Sequence, residues 1–130
     1  MAVFGPVKSF TSVAVADLTN NLYHIVRHAG ENQTNIASNA AAAFSVGAIG
    51  VLQNNPNSGQ HATIGYAGES KVVAGGSISA GVQFTTNASG RATAAASGDL
   101  VVGRALTAAG ANGQIFRALL TPTWRLNGAV

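Results

Sequence analysis

The sequence lacks cysteine and has few charged residues. None of its 130 residues is Cys, and Asp, Glu, Lys and Arg together make up 8% of the chain, against about 25% in typical soluble domains. Without thiols, disulfide bonds, Cys-ligated zinc and a thiol nucleophile are all excluded. A surface with so little charge gives weak electrostatic repulsion between copies. We therefore expect a protein that ends up packed in an assembly.

The scarcity of charge also argues against nucleic acid and membranes as partners. Seven basic and four acidic side chains give a net charge of +3, and the basic residues are scattered rather than clustered. Nucleic-acid binding needs several phosphate contacts on one face. We see no basic-then-apolar leader, and the longest apolar-looking stretch, residues 40–52, is too short and too rich in glycine to span a bilayer. The sequence predicts no nucleic-acid partner, no membrane partner and no secretory signal.

Residue patterns typical of catalysis and of metal binding are missing. His24 and His28 are four residues apart, but the zinc-protease pattern needs a Glu after the first His, where this chain has Ile25. The sequence has no Gly-x-Ser-x-Gly nucleophile elbow, and its four carboxylates stand apart along the chain. We expect no catalytic residue, no metal and no cofactor. His24, His28 and His61 are expected to be ordinary exposed or strand-face side chains.

Apolar residues alternate with a period of two along most of the chain, which is typical of β-strands. Strands are predicted over residues 61–68, 82–85, 100–106 and 113–120. In the first, Ala62, Ile64 and Tyr66 share one face. In the last, Phe116, Ala118 and Leu120 oppose Ile115, Arg117 and Leu119, and the strand is predicted to be covered on both sides. Turns rich in Gly and Asn separate the strands at intervals of about ten residues. This pattern predicts an all-β fold, a small barrel-like or sandwich-like domain of short strands.

Residues 17–28 support two interpretations. Asp17 could cap a helix with Leu18, Leu22 and Ile25 on one stripe. Residues 22–28 also alternate in the manner of a strand. We favour a turn over residues 17–21 that leads into a strand.

Two stretches of the chain resemble each other. Ile49-Gly-Val-Leu-Gln leads through a turn to Gly59-Gln60 and then to an alternating segment. Val102-Gly-Arg-Ala-Leu leads through a similar turn to Gly113-Gln114 and then to a second alternating segment. The weak repeat predicts two similar β-hairpins.

The two ends of the chain are predicted to lie outside the β domain of residues 16–120. Residues 1–15 contain Phe4, Pro6 and Phe10 and are predicted to be an extended N-terminal arm, because proline has no amide donor and favours extended geometry before it. Aromatic side chains are costly to leave in water, so a docked arm is favoured over a disordered terminus. The tail of residues 121–130, with Trp124, is the rival anchor. Phe4, Pro6, Phe10 and Trp124 are the candidate interface residues.

In order and spacing, about residues 13–120 resemble the DUF2190-like family of phage capsid decoration (cement) proteins. The opening Asp17-Leu18-Thr19, followed by Tyr23, Val26 and Arg27, is similar to the start of that family. The stretches that carry the resemblance are residues 16–27, 48–73, 74–92, 102–106 and 113–120. The chain departs from the family in an inserted stretch, residues 31–43, and in continuing beyond residue 120.

The resemblance implies a role in the virion. Proteins of this family are small β-rich domains that assemble as homotrimers over the outer surface of a tailed-phage head and reinforce the lattice of the major capsid protein. The chain would then be made in the host cytoplasm and carry no catalytic residue. The alternatives are a fibre or tail adhesin-type module of a virion and, less favoured, a small enzyme.

Overall fold

A computed structural model describes residues 7–37, 48–96 and 99–121. Within these ranges the chain forms nine β-strands and no helix, so the predicted all-β fold is confirmed. The strands are β1 Lys8–Ala14, β2 Ile25–Gly30, β3 Gln33–Ile36, β4 Ala48–Leu52, β5 His61–Val73, β6 Gln83–Thr86, β7 Ala92–Ala94, β8 Gly103–Ala105 and β9 Ile115–Leu120. The same ranges contain no helix long and apolar enough to cross a membrane.

Five of these strands close into a small barrel. They are neighbours in the order β1, β3, β2, β4 and β5, and β1 also pairs with β5, which closes the ring. The short β1–β3 pairing is parallel, and the other pairings of the ring are antiparallel. Closure removes the open sheet edges that would otherwise invite pairing with another chain.

The long strand β5 joins the barrel to a second sheet. Its first part, residues 61–67, pairs with β1, and its second part, residues 68–73, pairs with β9. Gly68, at the change of partner, has a φ of +98°, in the left-handed region that glycine adopts without steric cost. Beyond β9 the second sheet continues with β8, β6 and β7.

Adjacent apolar residues supply two separate cores, because successive side chains of a strand point to opposite faces. In β2, Val26 belongs to the cluster inside the barrel and Ile25 to the larger cluster that joins the barrel to the second sheet. In β4, Leu52 and Val51 divide in the same way. All four are fully buried. The barrel wall between the two cores is therefore apolar on both sides.

The two similar hairpins predicted from the repeat are confirmed. They are β4–β5 and β8–β9, and their registers correspond. In the first, Val51 pairs with Gly65, and in the second, Arg104 pairs with Leu119. These pairs occupy the same place when the glycines of the repeat, Gly50 and Gly103, are superposed.

The turns of the two hairpins are also held alike. Gly59 and Gly113 both have left-handed backbones, with φ of +84° and +91°. The Gly59 N–H donates to the carbonyl of Ala14, and the Gly113 N–H to that of Ala74, both at 2.8 Å. The glutamine after each glycine accepts a bond from the amide of the same alanine, at 2.9 and 2.7 Å. The fold thus contains one unit twice, a strand followed by a hairpin.

The structure corrects the predicted extent of the N-terminal arm. Residues 8–14 form β1, which is a strand of the barrel with a continuous pairing to β5. Ser12 and Ala14 are buried, because their small side chains fit inside the barrel. The prediction that the arm runs to residue 15 is therefore wrong for these residues. Phe4, Pro6 and Trp124 lie outside the described residues.

Three further strand predictions need correction. The strand predicted over residues 100–106 is shorter, since β8 covers Gly103–Ala105. β9 is covered on one side instead of two, with Ile115 and Leu119 on the open side. Tyr66 is exposed although Ala62 and Ile64, on the same predicted face, are fully buried. Tyr66 lies where β5 leaves the barrel, so no barrel interior remains to receive its side chain.

The predicted turn after Asp17 and the strand that follows it are confirmed, although the strand begins at Ile25 and not at residue 22; the helical alternative is wrong. The Oδ1 atom of Asp17 accepts bonds from the N–H and the hydroxyl of Thr19, at 3.0 and 2.7 Å. This arrangement is a side-chain-stabilised turn rather than a helix cap. β2 then begins at Ile25.

Candidate interaction surface

The outward side of the second sheet carries one continuous open surface. Across neighbouring strands, Glu69 pairs with Leu119 and Leu119 with Arg104, while Lys71 pairs with Arg117. The intervening residues point inward, into the core. We call this surface the β9 face; its members are Glu69, Lys71, Arg104, Leu106, Ile115, Arg117 and Leu119.

Apolar side chains flank Arg117 on the β9 face. Ile115 and Leu119 lie on either side of it along β9, and Leu106 lies beside it, with its N–H donating to the Arg117 carbonyl at 2.8 Å. Ile115 is 54% exposed, Leu119 43% and Leu106 42%. These three are half of the six large apolar side chains that are exposed in the described part of the chain. Scattered single apolar residues are normal on a protein surface, whereas a group of them indicates an interaction site.

The charges of the β9 face do not balance. The Arg117 Nε atom donates to the Glu69 Oε2 atom at 2.8 Å, and the Arg117 Nη2 atom donates to the same oxygen. Lys71 lies directly opposite Arg117 in the strand register, and like charges in that position destabilise a sheet. With Arg104, the face has three cations and one carboxylate, a net charge of +2.

A small pocket opens at the edge of the β9 face. It has a volume of about 150 Å³ and is lined by Tyr23, Gln53, Glu69, Ser70, Lys71 and Arg117. The Nε2 atom of Gln53 donates to the Ser70 hydroxyl at 2.9 Å, which fixes one wall. Pockets that hold a cofactor or a drug-sized ligand usually measure about 300–1,000 Å³. This pocket is suited to a single side chain.

Tyr23 lines this pocket with a strained backbone. Its φ of +64° lies in the left-handed region, which costs a non-glycine residue about 1–2 kcal/mol. Two hydrogen bonds hold it there: its N–H donates to the Leu52 carbonyl at 2.9 Å, and its carbonyl accepts from the Val73 N–H at 3.1 Å. The Lys71 ammonium lies 5.9 Å from the centroid of the Tyr23 ring, within range of a cation–π interaction. Strain of this kind is concentrated at functional sites.

Behind Tyr23, the next residue is a buried histidine. His24 is 5% exposed, so the prediction of an exposed or strand-face side chain is wrong at this position. Its Nε2 atom accepts from the Arg91 Nε–H at 3.3 Å, which assigns the proton to Nδ1, facing the Leu22 carbonyl at 3.3 Å. Burial, together with the nearby Arg91 guanidinium, lowers the pKa of His24 below its usual 6.5.

Acidification is therefore expected to destabilise the domain through His24. Below about pH 6.5 the unfolded chain is protonated at His24, whereas the folded chain stays neutral there. The free energy of unfolding therefore falls as the pH decreases, until the pH reaches the lowered pKa of His24 in the folded state. We expect the midpoint of urea unfolding to decrease between about pH 7.5 and about pH 5.5. The His24→Gln variant should show a smaller decrease, and His61→Gln, at an exposed position, should retain it. A wild-type midpoint that is constant over this range would contradict the prediction.

The structure places the predicted site residues as follows. Phe10 lies on β1, is 40% exposed, and has its ring centroid 5.9 Å from that of Tyr66. It belongs to the barrel and not to the β9 face. The described residues include no group of three His, Cys, Asp or Glu side chains that could hold a metal ion. Sequence reasoning missed the β9 face, although its signal was present in the apolar residues on both sides of β9.

The chain resembles a solved phage protein in fold but matches no family model. No family model matches the chain, so membership of the decoration family is not shown. No curated protein matches it either. Among solved structures, the chain is similar to the N base of the head fibre protein gp8.5 of bacteriophage phi29, with 18% sequence identity and a TM-score of 0.63. The similarity covers 92% of this chain and 99% of that chain. At this identity it shows a shared fold, an all-β architecture also found in the base of a phage head fibre.

Proposed function

We propose that this chain is a structural, non-enzymatic protein of a tailed-phage head, which decorates the outer surface of the capsid and reinforces the lattice of the major capsid protein. The observation that carries the proposal is the likeness to the phi29 head fibre base over 99% of that chain. A domain that matches nearly all of a head component, over 92% of its own length, has the size and shape for such a role.

The proposal includes self-association as a homotrimer. Charged residues make up 8% of the chain, so mutual repulsion between copies is weak. Closed cyclic symmetry is the usual arrangement of homo-oligomers. The exposed pair Phe10 and Tyr66 on the barrel is the surface we assign to this contact.

A second candidate is the base of a head fibre. The similar solved structure is itself described as the N base of a fibre protein, which favours a fibre module over an enzyme. The two candidates differ in what electron microscopy of virions would show. A decoration protein gives low, repeated density over the lattice, whereas a fibre base gives density from which a long projection extends.

The proposed function is tested by adding the purified chain to heads that lack it. We expect binding that saturates at a fixed copy number, counted by mass spectrometry of sedimented heads, and a raised temperature of head disruption. Absence of binding at any concentration would contradict the proposal.

Truncation separates the two predicted anchors. Because β1 begins at Lys8, removal of residues 1–6 leaves the barrel strands intact. If Phe4 is the anchor, this truncation should weaken head binding by about tenfold or more, the effect of losing one buried aromatic side chain. Removal of residues 122–130, which include Trp124, is the matched control. If only the truncation of residues 122–130 loses binding, the anchor is the C-terminal tail and not Phe4.

A further inference from the structure

We propose that the β9 face docks onto an acidic protein surface, one that presents carboxylates together with apolar side chains. This inference rests on the proposed function and adds to it the docking surface of this chain and the chemistry of its partner. It stands on the internal repeat, on the exposed apolar side chains and on the unbalanced charge.

The internal repeat shows that this side of a hairpin is a packing surface. In the first hairpin, the positions equivalent to Arg104 and Leu119 are Val51 and Gly65, and both are buried. Val51 packs into the larger core. In the second hairpin, Arg104 and Leu119 are exposed. The chain thus covers this surface once with its own residues and leaves the second copy of it open.

The charges define what the partner has to supply. Arg117 is engaged by Glu69. Lys71 and Arg104 lie on the strands at either side of β9, and neither has a carboxylate partner among the described residues, although Arg104 donates to the Gly81 carbonyl at 2.8 Å. A partner carboxylate beside Lys71 would relieve the repulsion between Lys71 and Arg117, and the pocket beside Tyr23 has room for one side chain. Charge-assisted bonds of this kind are stronger than neutral ones. The partner surface is therefore acidic, with apolar side chains beside its carboxylates.

A second copy of this chain does not supply such a surface. Two β9 faces brought together would oppose three cations to three cations. The other carboxylates of the sequence are Asp17, Glu31 and Asp99, which lie outside the strands in three separate segments of the chain. Asp17 and Asp99 already accept bonds from the backbone N–H groups of Thr19 and Ala96. Contacts between copies are accordingly assigned to another surface.

Nucleic acid fits the β9 face less well than protein does. Three of its seven members, Leu106, Ile115 and Leu119, are exposed apolar side chains that offer no hydrogen bond to a phosphate. Tight binding of a duplex draws on several phosphate contacts, and Arg117 is already bonded to a carboxylate.

The test measures binding of full-length variants to heads that lack this protein, at roughly 0.15 M salt. Leu119→Asp and Lys71→Glu each place a negative charge on the β9 face, and each should weaken binding by about thirtyfold, the effect expected at the centre of an interface. Val15→Asp is the control for Leu119→Asp, because Val15 is also an exposed aliphatic residue, 38% exposed. Arg27→Glu is the control for Lys71→Glu, because it changes the net charge equally on β2. Both controls should bind as the wild type does. The temperature at the midpoint of thermal unfolding should be the same in all four variants as in the wild type, within a few degrees.

The outcomes separate this inference from the function on which it rests. If the wild type binds heads and both β9-face variants bind equally well, the inference is overturned and the proposed function stands. If the wild type does not bind, both are overturned. Wild-type retardation of a duplex DNA fragment at the same salt, lost in Lys71→Glu, would replace the protein partner by nucleic acid and also overturn the inference. If Leu119→Asp does not fold, Lys71→Glu and Arg104→Glu, at exposed positions, decide the question.

Discussion

Replacement of Phe116 by alanine is expected to lower the free energy of unfolding by about 3–5 kcal/mol, the range measured for large aromatic side chains removed from protein cores. Phe116 is 1% exposed, and its ring meets that of Phe84 edge to face, with centroids 5.4 Å apart and planes at 90°. This geometry contributes beyond the buried area itself. Since small domains are stable by about 5–15 kcal/mol, the variant should lose a large share of its stability.

Urea unfolding followed by circular dichroism measures this effect. Leu119→Ala is the matched control, because it removes a large apolar side chain from the same strand but from the exposed side, at 43% exposure. The control should cost less than about 1 kcal/mol. Equal losses in Phe116→Ala and Leu119→Ala would contradict the assignment of one face of β9 to the core. The double variant with Phe84→Ala should lose less than the sum of the single variants, because the two rings share one contact.

Alanine at Gly50 or Gly103 is expected to destabilise the hairpins by about 1–3 kcal/mol each, the usual cost of overpacking a filled site. A Cβ atom at Gly50 would collide with the backbone carbonyl oxygen of Gly65, and one at Gly103 with that of Leu119. Backbone atoms of a paired strand cannot rotate away as a side chain can, so the strands themselves would have to separate. Because the two glycines occupy equivalent places in the repeat, the two losses should be of similar size.

Gly76→Ala provides the matched control for both substitutions. No atom lies within 4 Å of a Cβ placed at Gly76, and its backbone is outside the left-handed region. Alanine there should be neutral or stabilise the chain by about 0.4–1 kcal/mol, since it restricts the unfolded state. If the three alanine variants unfold at the same urea concentration, glycine is not required at Gly50 and Gly103 for the close approach of the paired strands.

The hairpins could be predicted from the sequence because their signals are local. The Gly-Gln pairs at residues 59–60 and 113–114 terminate turns within a few residues of the strands they serve, and period-two alternation marks the strands. β1 was hidden for the opposite reason. Its pairing partner β5 begins at His61, far along the chain, and Pro6 beside it is typical of an extended segment outside a sheet.

The candidate site was only partly visible in the sequence. Alternation along residues 113–120 showed that both faces of β9 carry apolar residues, but it could not show whether anything covers the face that also carries Arg117. Tyr23 gave no local signal of a left-handed backbone, because that conformation is imposed by its bonds to Leu52 and Val73. Likewise, the excess of positive charge on the β9 face could not be seen in the sequence, because Lys71 and Arg117 are brought together only by the register of β5 and β9.

The sequence by itself determined the all-β class, the turn at Asp17 and the two hairpins, since each depends on steric and hydrogen-bonding preferences that act within about a dozen residues. The tertiary structure alone decided the closure of the barrel by β1 and β5, the burial of His24 against Arg91 and the open side of β9. Each of these depends on which distant segments meet, and alternation of apolar residues carries no information about the partner. A strand pattern states that a face is apolar; only the packing of the whole chain determines whether that face is filled from within or left for another protein.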